Sequence, residues 1–286
     1  MQQMGPFHAK GPILFGFTNV DTVEFLGIAV CPWKEEIFMR FHQVAALAFT
    51  IASIAAAQTT APWSYQGKTG PLNWGKLDPA YKACSQGHEQ SPIDIRGAHL
   101  NRKLPPIEFH YIGGPVTMEN TGNTVRVYVD PGSYIVYDGV RYDLQQFHFH
   151  HPSEEAVKGK LTDMVVHLVH KSADGRQAVI AVRLQMDRGD ANAVLATLWP
   201  HLPTHTGETE KVADVINAGG FLPADRGYWT YVGSLTAPPC TEGVRWFVFE
   251  DVLSVSRSQL RAFTAIFPMN SRPLQDTRGR RIEANE

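Results

Sequence analysis

The chain has 286 residues, of which 43% are hydrophobic, and 26 Lys and Arg against 28 Asp and Glu give a formal net charge of −2. That balance belongs to an ordinary globular protein and leaves no electrostatic footprint for nucleic acid, so polyanionic partners are excluded. The length suits one large domain or two small ones.

Residues 1–38 mix apolar and polar residues without a clear period. From Met39 the pattern changes: Arg40 supplies a positive charge, an apolar stretch runs from Val44 to Ile54, and Ala55-Ala56-Ala57 closes it with small residues. This is the layout of a secretory signal peptide that begins at an internal methionine. Its apolar stretch is too short to span a bilayer. The expected organisation is a non-native extension at 1–38, a signal peptide at 39–57 and one domain over 58–286, with translation starting at Met39. Cysteine usage agrees with export. Cys31 falls in the leader, which leaves Cys84 and Cys240 as either one disulfide in an oxidising compartment or two buried thiols.

The remainder reads as many short strands with turn punctuation. Residues 124–129 alternate polar and apolar, as a half-buried strand should. Residues 133–137, the pair Asp138-Gly139 and the run from Val140 predict a hairpin with a type I′ turn. Strands are predicted over 145–151, 164–171 and 178–184, with a turn at Ala173-Asp174-Gly175. Two helices follow, over 191–198 and 208–217, the second closed by Gly219-Gly220. Strands resume at 229–235 and 244–249, and a short helix over 256–263 has Ser256 as its N-cap. The expectation is a single, mainly β domain with a few short helices (α+β).

The chemistry centres on Gln146-Phe-His-Phe-His150 and His167-Leu-Val-His170. His148 and His150 are two apart, so on a strand both point to one face while Phe147 and Phe149 point to the other. His167, in an apolar run, could be brought alongside by a neighbouring strand to complete a three-nitrogen site for one zinc ion. Three neutral ligands would leave the metal charge uncompensated and acidify a water in the open fourth position to a pKa of about 7. Taken singly, each histidine fits a hydrogen-bonded core position equally well.

Beyond this cluster the sequence resembles the α-class carbonic anhydrases, in particular their exported bacterial members. The likeness rests on Trp63-Ser-Tyr65, Asn73-Trp74, Gln90-Ser-Pro-Ile-Asp94, Gly132-Ser-Tyr134, the histidine motifs, Ser153-Glu154, Ser234-Leu-Thr-Ala-Pro-Pro-Cys-Thr-Glu242 and Asn270-Ser-Arg-Pro273, in the family's order. The resemblance implies a single domain around a large, mostly antiparallel central sheet. It implies Zn2+ held by His148, His150 and His167, and reversible hydration of carbon dioxide to bicarbonate and a proton through zinc-bound hydroxide. Thr236 matches the threonine that positions that hydroxide, its own proton committed to Glu154. Gln146 and the backbone near Asn270 match groups that orient His148 and His150. The carbon dioxide pocket would be Val169, Val179, Leu235, Val244 and Trp246, and Cys84–Cys240 would be a disulfide. The implied partners are the small-molecule substrates alone. The implied protein is a monomer or homodimer, exported to the bacterial periplasm or secreted, and free of the membrane after signal cleavage.

Several positions depart from the family pattern. Asn123 stands where fast members carry a proton-ferrying histidine; an amide cannot titrate, so turnover is expected to depend on buffer, unless His88 or His99 substitutes. Val165 replaces a glutamate that supports the third ligand, while Glu155 stands where relatives often have histidine. The two changes together suggest that Glu155 supports His167 from a new position. His151, Ala237 and His170 are assigned no part in binding zinc. Other classes fit less well. A catalytically silent binding domain should lack a ligand, and a cupin-type iron or manganese site lacks its second motif. No hydrolase signature such as Gly-x-Ser-x-Gly or His-Glu-x-x-His is present.

Overall fold

The computed structural model describes residues 62–186 and 191–286; the expected extension at 1–38 and signal peptide at 39–57 lie outside them. A sheet of 13 strands carries the domain. Its main path runs through Thr209–Ile216, Gly114–Asn120, Val125–Val129, Val140–His150, Met164–Lys171, Gln177–Met186, Glu242–Phe249 and Tyr228–Ser234. Neighbours along this path are antiparallel except that Gln177–Met186 runs parallel to Glu242–Phe249, and also to Leu253–Val255. Glu283–Ala284 pairs in parallel with His99–Leu100 at one edge. The sheet is therefore mixed but mostly antiparallel, as expected.

Both faces of the centre are buried, and this explains why Met164–Lys171 carries apolar residues on both of its faces beside its two histidines. Met164, Val166 and Leu168 point to one side with Phe147, Phe149, Ile180 and Val182, where they form the larger core. Helices Ala193–Leu198 and Arg257–Thr264 add Val194, Leu195, Leu198 and Phe263 to it. Val165 points to the other side, with Val179, Ala181, Val244 and Trp246. Phe147 and Phe149, which alternate with the histidines, thus anchor the strand in the core and leave His148 and His150 on the opposite face.

Local signals act as their chemistry dictates. Asp138 and Gly139 join Tyr134–Tyr137 to Val140–His150 with φ of 50° and 72°, the paired left-handed conformation of a type I′ turn. Ser256 caps the last helix in a reciprocal capping box with Gln259. The helix predicted over 191–198 begins at Ala193, where the Asn192 side chain accepts from the backbone of Val194 and Leu195.

The helix predicted over 208–217 is instead the edge strand Thr209–Ile216. Its buried residues, Val212 and Ile216, are four apart, which mimics a helical stripe. In the sheet Val212 stands opposite Val116 and Ile216 opposite Gly114, with a register shift between them. Extra residues bulge out there and return the strand to its buried face. Gly219-Gly220 belongs to the short turn Ala218–Phe221 rather than to a helix cap.

Cys84 and Cys240 form a disulfide with their Cα atoms 5.0 Å apart. Beside it the buried Arg272 guanidinium donates to the Cys84 and Ser91 carbonyls and to the Gln90 side chain. Among the described residues no helix is long and apolar enough to cross a membrane.

Candidate metal centre

His148 stands directly opposite His167 in the antiparallel pairing of Val140–His150 with Met164–Lys171, and His150 stands opposite Val165. This register brings three ring nitrogens, one from each of His148, His150 and His167, within 4.8 Å of one another. Each ring is held by its other nitrogen. His148 Nδ1 bonds the Gln146 side-chain oxygen at 2.9 Å, and His150 Nδ1 bonds the Asn270 carbonyl at 2.7 Å. His167 Nε2 bonds Glu155, with Oε1 at 3.0 Å and Oε2 at 3.3 Å. The tautomers are fixed accordingly, and Nε2 of His148, Nε2 of His150 and Nδ1 of His167 remain as lone-pair donors.

His150 Nε2 is buried and has no hydrogen-bond partner, an expensive condition unless a cation completes it. Burial pulls His148 and His150 well below the usual histidine range, with the neighbouring rings adding to the effect. His167 is also pulled down by burial, but the carboxylates of Glu155 and Glu154 outweigh this and raise it. Three imidazoles converging on one point fit a tetrahedral divalent ion with one open position, His167 giving up its proton to bind.

Glu155 reaches His167 from outside the sheet. It precedes the two-residue strand Ala156–Val157, which pairs with Asp94–Ile95, and it is fully buried. The space a carboxylate would occupy on strand Met164–Lys171 holds the fully buried Val165 instead. Arg183, opposite Val165 on the next strand, feels the Glu155 charge and balances it.

Glu154 lies on the other side of the cluster. Its Oε1 accepts from the Arg272 backbone at 2.8 Å, while Oε2 lies 3.6 Å from His150 Nε2 and 3.9 Å from His167 Nδ1. Burial raises its pKa to about 7, opposed by the charge of His167 and by the Thr236 hydroxyl, which faces the carboxylate and favours its charged form. Oε2 has no partner at ordinary hydrogen-bond geometry.

A cavity of about 250 Å³ opens onto the three histidines, with Val169, Val179, Leu235 and Trp246 as its apolar wall. The Trp246 indole is fixed by a 3.0 Å bond to the Ser234 carbonyl and meets His167 edge-on. Val244 does not line the cavity; it is buried behind this wall. Asn123 and Ala237 do line it. His88 and His99 do not: His88 is bonded to Arg278, and His99 lies on an exposed edge strand. His170 is fully buried in the sheet, bonded to the Tyr111 hydroxyl at 2.7 Å, and His151 Nδ1 bonds the Asp163 carbonyl.

Several cavity residues had no role assigned from sequence, Tyr65 and Arg126 among them. Tyr65 lines the cavity and approaches His150 edge-on, and Arg126 lies on the wall beside Gln146. Tyr65 lies in a loop that strand periodicity does not place. The position of Arg126 depends on register, which a single sequence does not display. A second hollow, of about 410 Å³ and also bounded by Tyr65 and Glu154, contains none of the three ligand histidines.

Comparison with known proteins agrees with this geometry. The family model described as eukaryotic-type carbonic anhydrase matches residues 69–286. A carbonic anhydrase of Klebsiella pneumoniae is 42% identical over 221 residues, covering 76% of this chain and 89% of that protein. A hyperthermostable carbonic anhydrase from an active hydrothermal vent chimney superposes with a TM-score of 0.76 at 41% identity, over 79% of this chain and 100% of that one. The α-carbonic anhydrase of Thermovibrio ammonificans, solved with the inhibitor sulfanilamide, gives a TM-score of 0.75 at 38% identity, covering 78% and 99%. This chain belongs to the α-carbonic anhydrase family.

Proposed function

We propose that the reaction this family catalyses, reversible hydration of carbon dioxide to bicarbonate and a proton, takes place here on a zinc ion held by His148, His150 and His167. The orphaned, buried Nε2 of His150 within the convergent triad carries this reading. When bound, zinc supplies a Lewis acid that lowers the pKa of a coordinated water to about 7.

The chain's own residues do the rest. Gln146, the Asn270 carbonyl and Glu155 lock the three rings in the tautomers that leave their donor nitrogens free. Thr236, with its proton directed to Glu154, has an oxygen lone pair left to accept from the nucleophile and aim it, a positioning contribution. Carbon dioxide carries no charge or dipole and gains from contact with Val169, Val179, Leu235 and Trp246 rather than from hydrogen bonds. Asn123 lines the cavity and holds no exchangeable acid proton in the neutral range, so the proton leaves to buffer.

The test is stopped-flow carbon dioxide hydration by the 58–286 protein before and after zinc removal. Rate loss on removal and recovery with zinc is expected; hydration indifferent to zinc would overturn the reading. The proposal extends to compartment: the Cys84–Cys240 bridge supports export to an oxidising space such as the periplasm, directed by residues 39–57. N-terminal sequencing of exported protein should begin near Gln58, and a retained 1–40 segment would sink that part.

A further inference from the structure

Among the described residues that line the metal cavity, Arg126 is the one side chain with a permanent charge. It stands directly opposite His148 in the pairing of Val125–Val129 with Val140–His150, and Tyr128 stands opposite Gln146. Directly opposed residues share a face, so the guanidinium and the Gln146 amide belong to one wall. The Gln146 oxygen is taken by His148, which leaves its NH2 group as a donor.

Glu119 stands directly opposite Arg126 on strand Gly114–Asn120, but its carboxylate is engaged by the Tyr128 hydroxyl and reaches the guanidinium only through it. A terminal nitrogen donates to the Tyr128 hydroxyl at 3.1 Å, and that hydroxyl donates to Glu119 at 2.7 Å. Its Nε is buried without a partner. The contrast with other arginines is informative. Arg96, Arg141, Arg176 and Arg281 each pair with a carboxylate, Arg272 and Arg280 are spent on carbonyl oxygens, and Arg183, whose Nε is also unpartnered, donates to the Phe249 and Glu250 carbonyls away from the cavity. A buried guanidinium nitrogen left unpaired is costly, and in the wall of a substrate cavity the group that would satisfy it is an anion.

We infer that Arg126, together with the Gln146 amide, forms an anion-binding wall that holds bicarbonate beside the metal centre. Carbon dioxide, being uncharged, gains nothing from it, so the residue distinguishes one side of the reaction from the other. The inference rests on the reading of the cavity as a carbon dioxide and bicarbonate site. By the same chemistry, small carboxylates would compete there.

The experiment compares the zinc-loaded wild type with R126Q and R126K by calorimetric titration with sodium bicarbonate, alongside dehydration kinetics and the unfolding midpoint. For R126Q the bicarbonate dissociation constant should rise about tenfold at low ionic strength, and less as salt is added. KM for bicarbonate should rise by a larger factor than kcat/KM falls, the mark of lost ground-state binding. R126K should recover most of the affinity, with all three unfolding midpoints alike. Wild-type protein without zinc-dependent hydration would remove the reading beneath the proposal. Active wild type with R126Q binding bicarbonate equally tightly would overturn the anion wall alone. Equal losses in R126Q and R126K, accompanied by a lowered midpoint, would assign Arg126 to the fold and overturn it as well.

Discussion

At the scale of single residues, the distinctive feature is the carboxylate that holds the third histidine. Strand Met164–Lys171 offers Val165 opposite His150, and the acid that grips His167 comes from Glu155, twelve residues earlier. A loop-borne carboxylate gives the imidazole its acceptor, and Arg183 helps to make its burial tolerable. Glu155→Gln keeps the shape but loses the charge that makes His167 a strong donor. Zinc affinity, measured by competition with a chromophoric chelator, should fall about 10–100-fold. Undiminished affinity would show that His167 does not need this partner.

Asn123 concerns speed rather than assembly. Its amide donates to the Trp63 carbonyl at 3.5 Å and its own carbonyl accepts from Asn270 at 2.9 Å, so the position is held in place at the cavity wall. Asn123→His would put a group titrating near neutrality there. Hydration at low buffer should rise by about tenfold or more, and the advantage should shrink as imidazole buffer is added. A variant as dependent on buffer as the wild type would contradict the assignment.

At the scale of elements, the sequence was most readable where local chemistry and tertiary demand coincide. Asp138-Gly139 had to be a left-handed turn, Ser256 had to cap a helix, and His-x-His on a strand had to share a face. Thr209–Ile216 was illegible because a bulge converts period two into an apparent period four. The parallel pairing of Gln177–Met186 with Glu242–Phe249 and the placement of Arg126 were hidden for a related reason. Both depend on which strands meet, and no local pattern encodes that. The Glu155 exchange was legible only against the family's pattern. His170 gives the element scale a measurable property. It joins strand Met164–Lys171 to Tyr111, and burial lowers its pKa to about 3. The folded protein keeps it neutral, while the unfolded chain protonates it near 6.5, the ordinary histidine value. Between about 3 and the ordinary histidine value the unfolded state binds the extra proton, so stability falls as pH drops below about 6.5, by about 1.4 kcal/mol per pH unit. His170→Gln should flatten denaturant midpoints between about pH 6 and pH 4 relative to wild type in the same metal state. Parallel profiles would show that His170 does not set the acid limit.

At the scale of the whole molecule, the disulfide and the active site share a segment. Cys240 lies four residues after Thr236, and the turn between them is closed by Cys240 N–H to the Ala237 carbonyl and Leu235 N–H to the Thr241 carbonyl. The bridge spans 156 residues of sequence and ties this turn to the helix Ala83–Gln86. Constraining a loop of that length stabilises the fold by up to about 5 kcal/mol in the chain-entropy model. The same junction is held independently: Gln90 donates to the Cys240 carbonyl at 3.1 Å, and Arg272 grips the Cys84 carbonyl at 2.9 Å. Replacing both cysteines with serine should therefore separate stability from chemistry. The thermal midpoint should fall by about 5–15 °C, since 1 kcal/mol shifts a domain of this size by about 2–4 °C. Hydration at 25 °C should change far less, because the hydrogen bonds that position the Thr236 turn survive the substitution. A midpoint unchanged by loss of the bridge would mean that these polar contacts already constrain the junction fully. A collapse of activity with the fold intact would mean that the covalent link, rather than the hydrogen bonds, holds Thr236 toward Glu154.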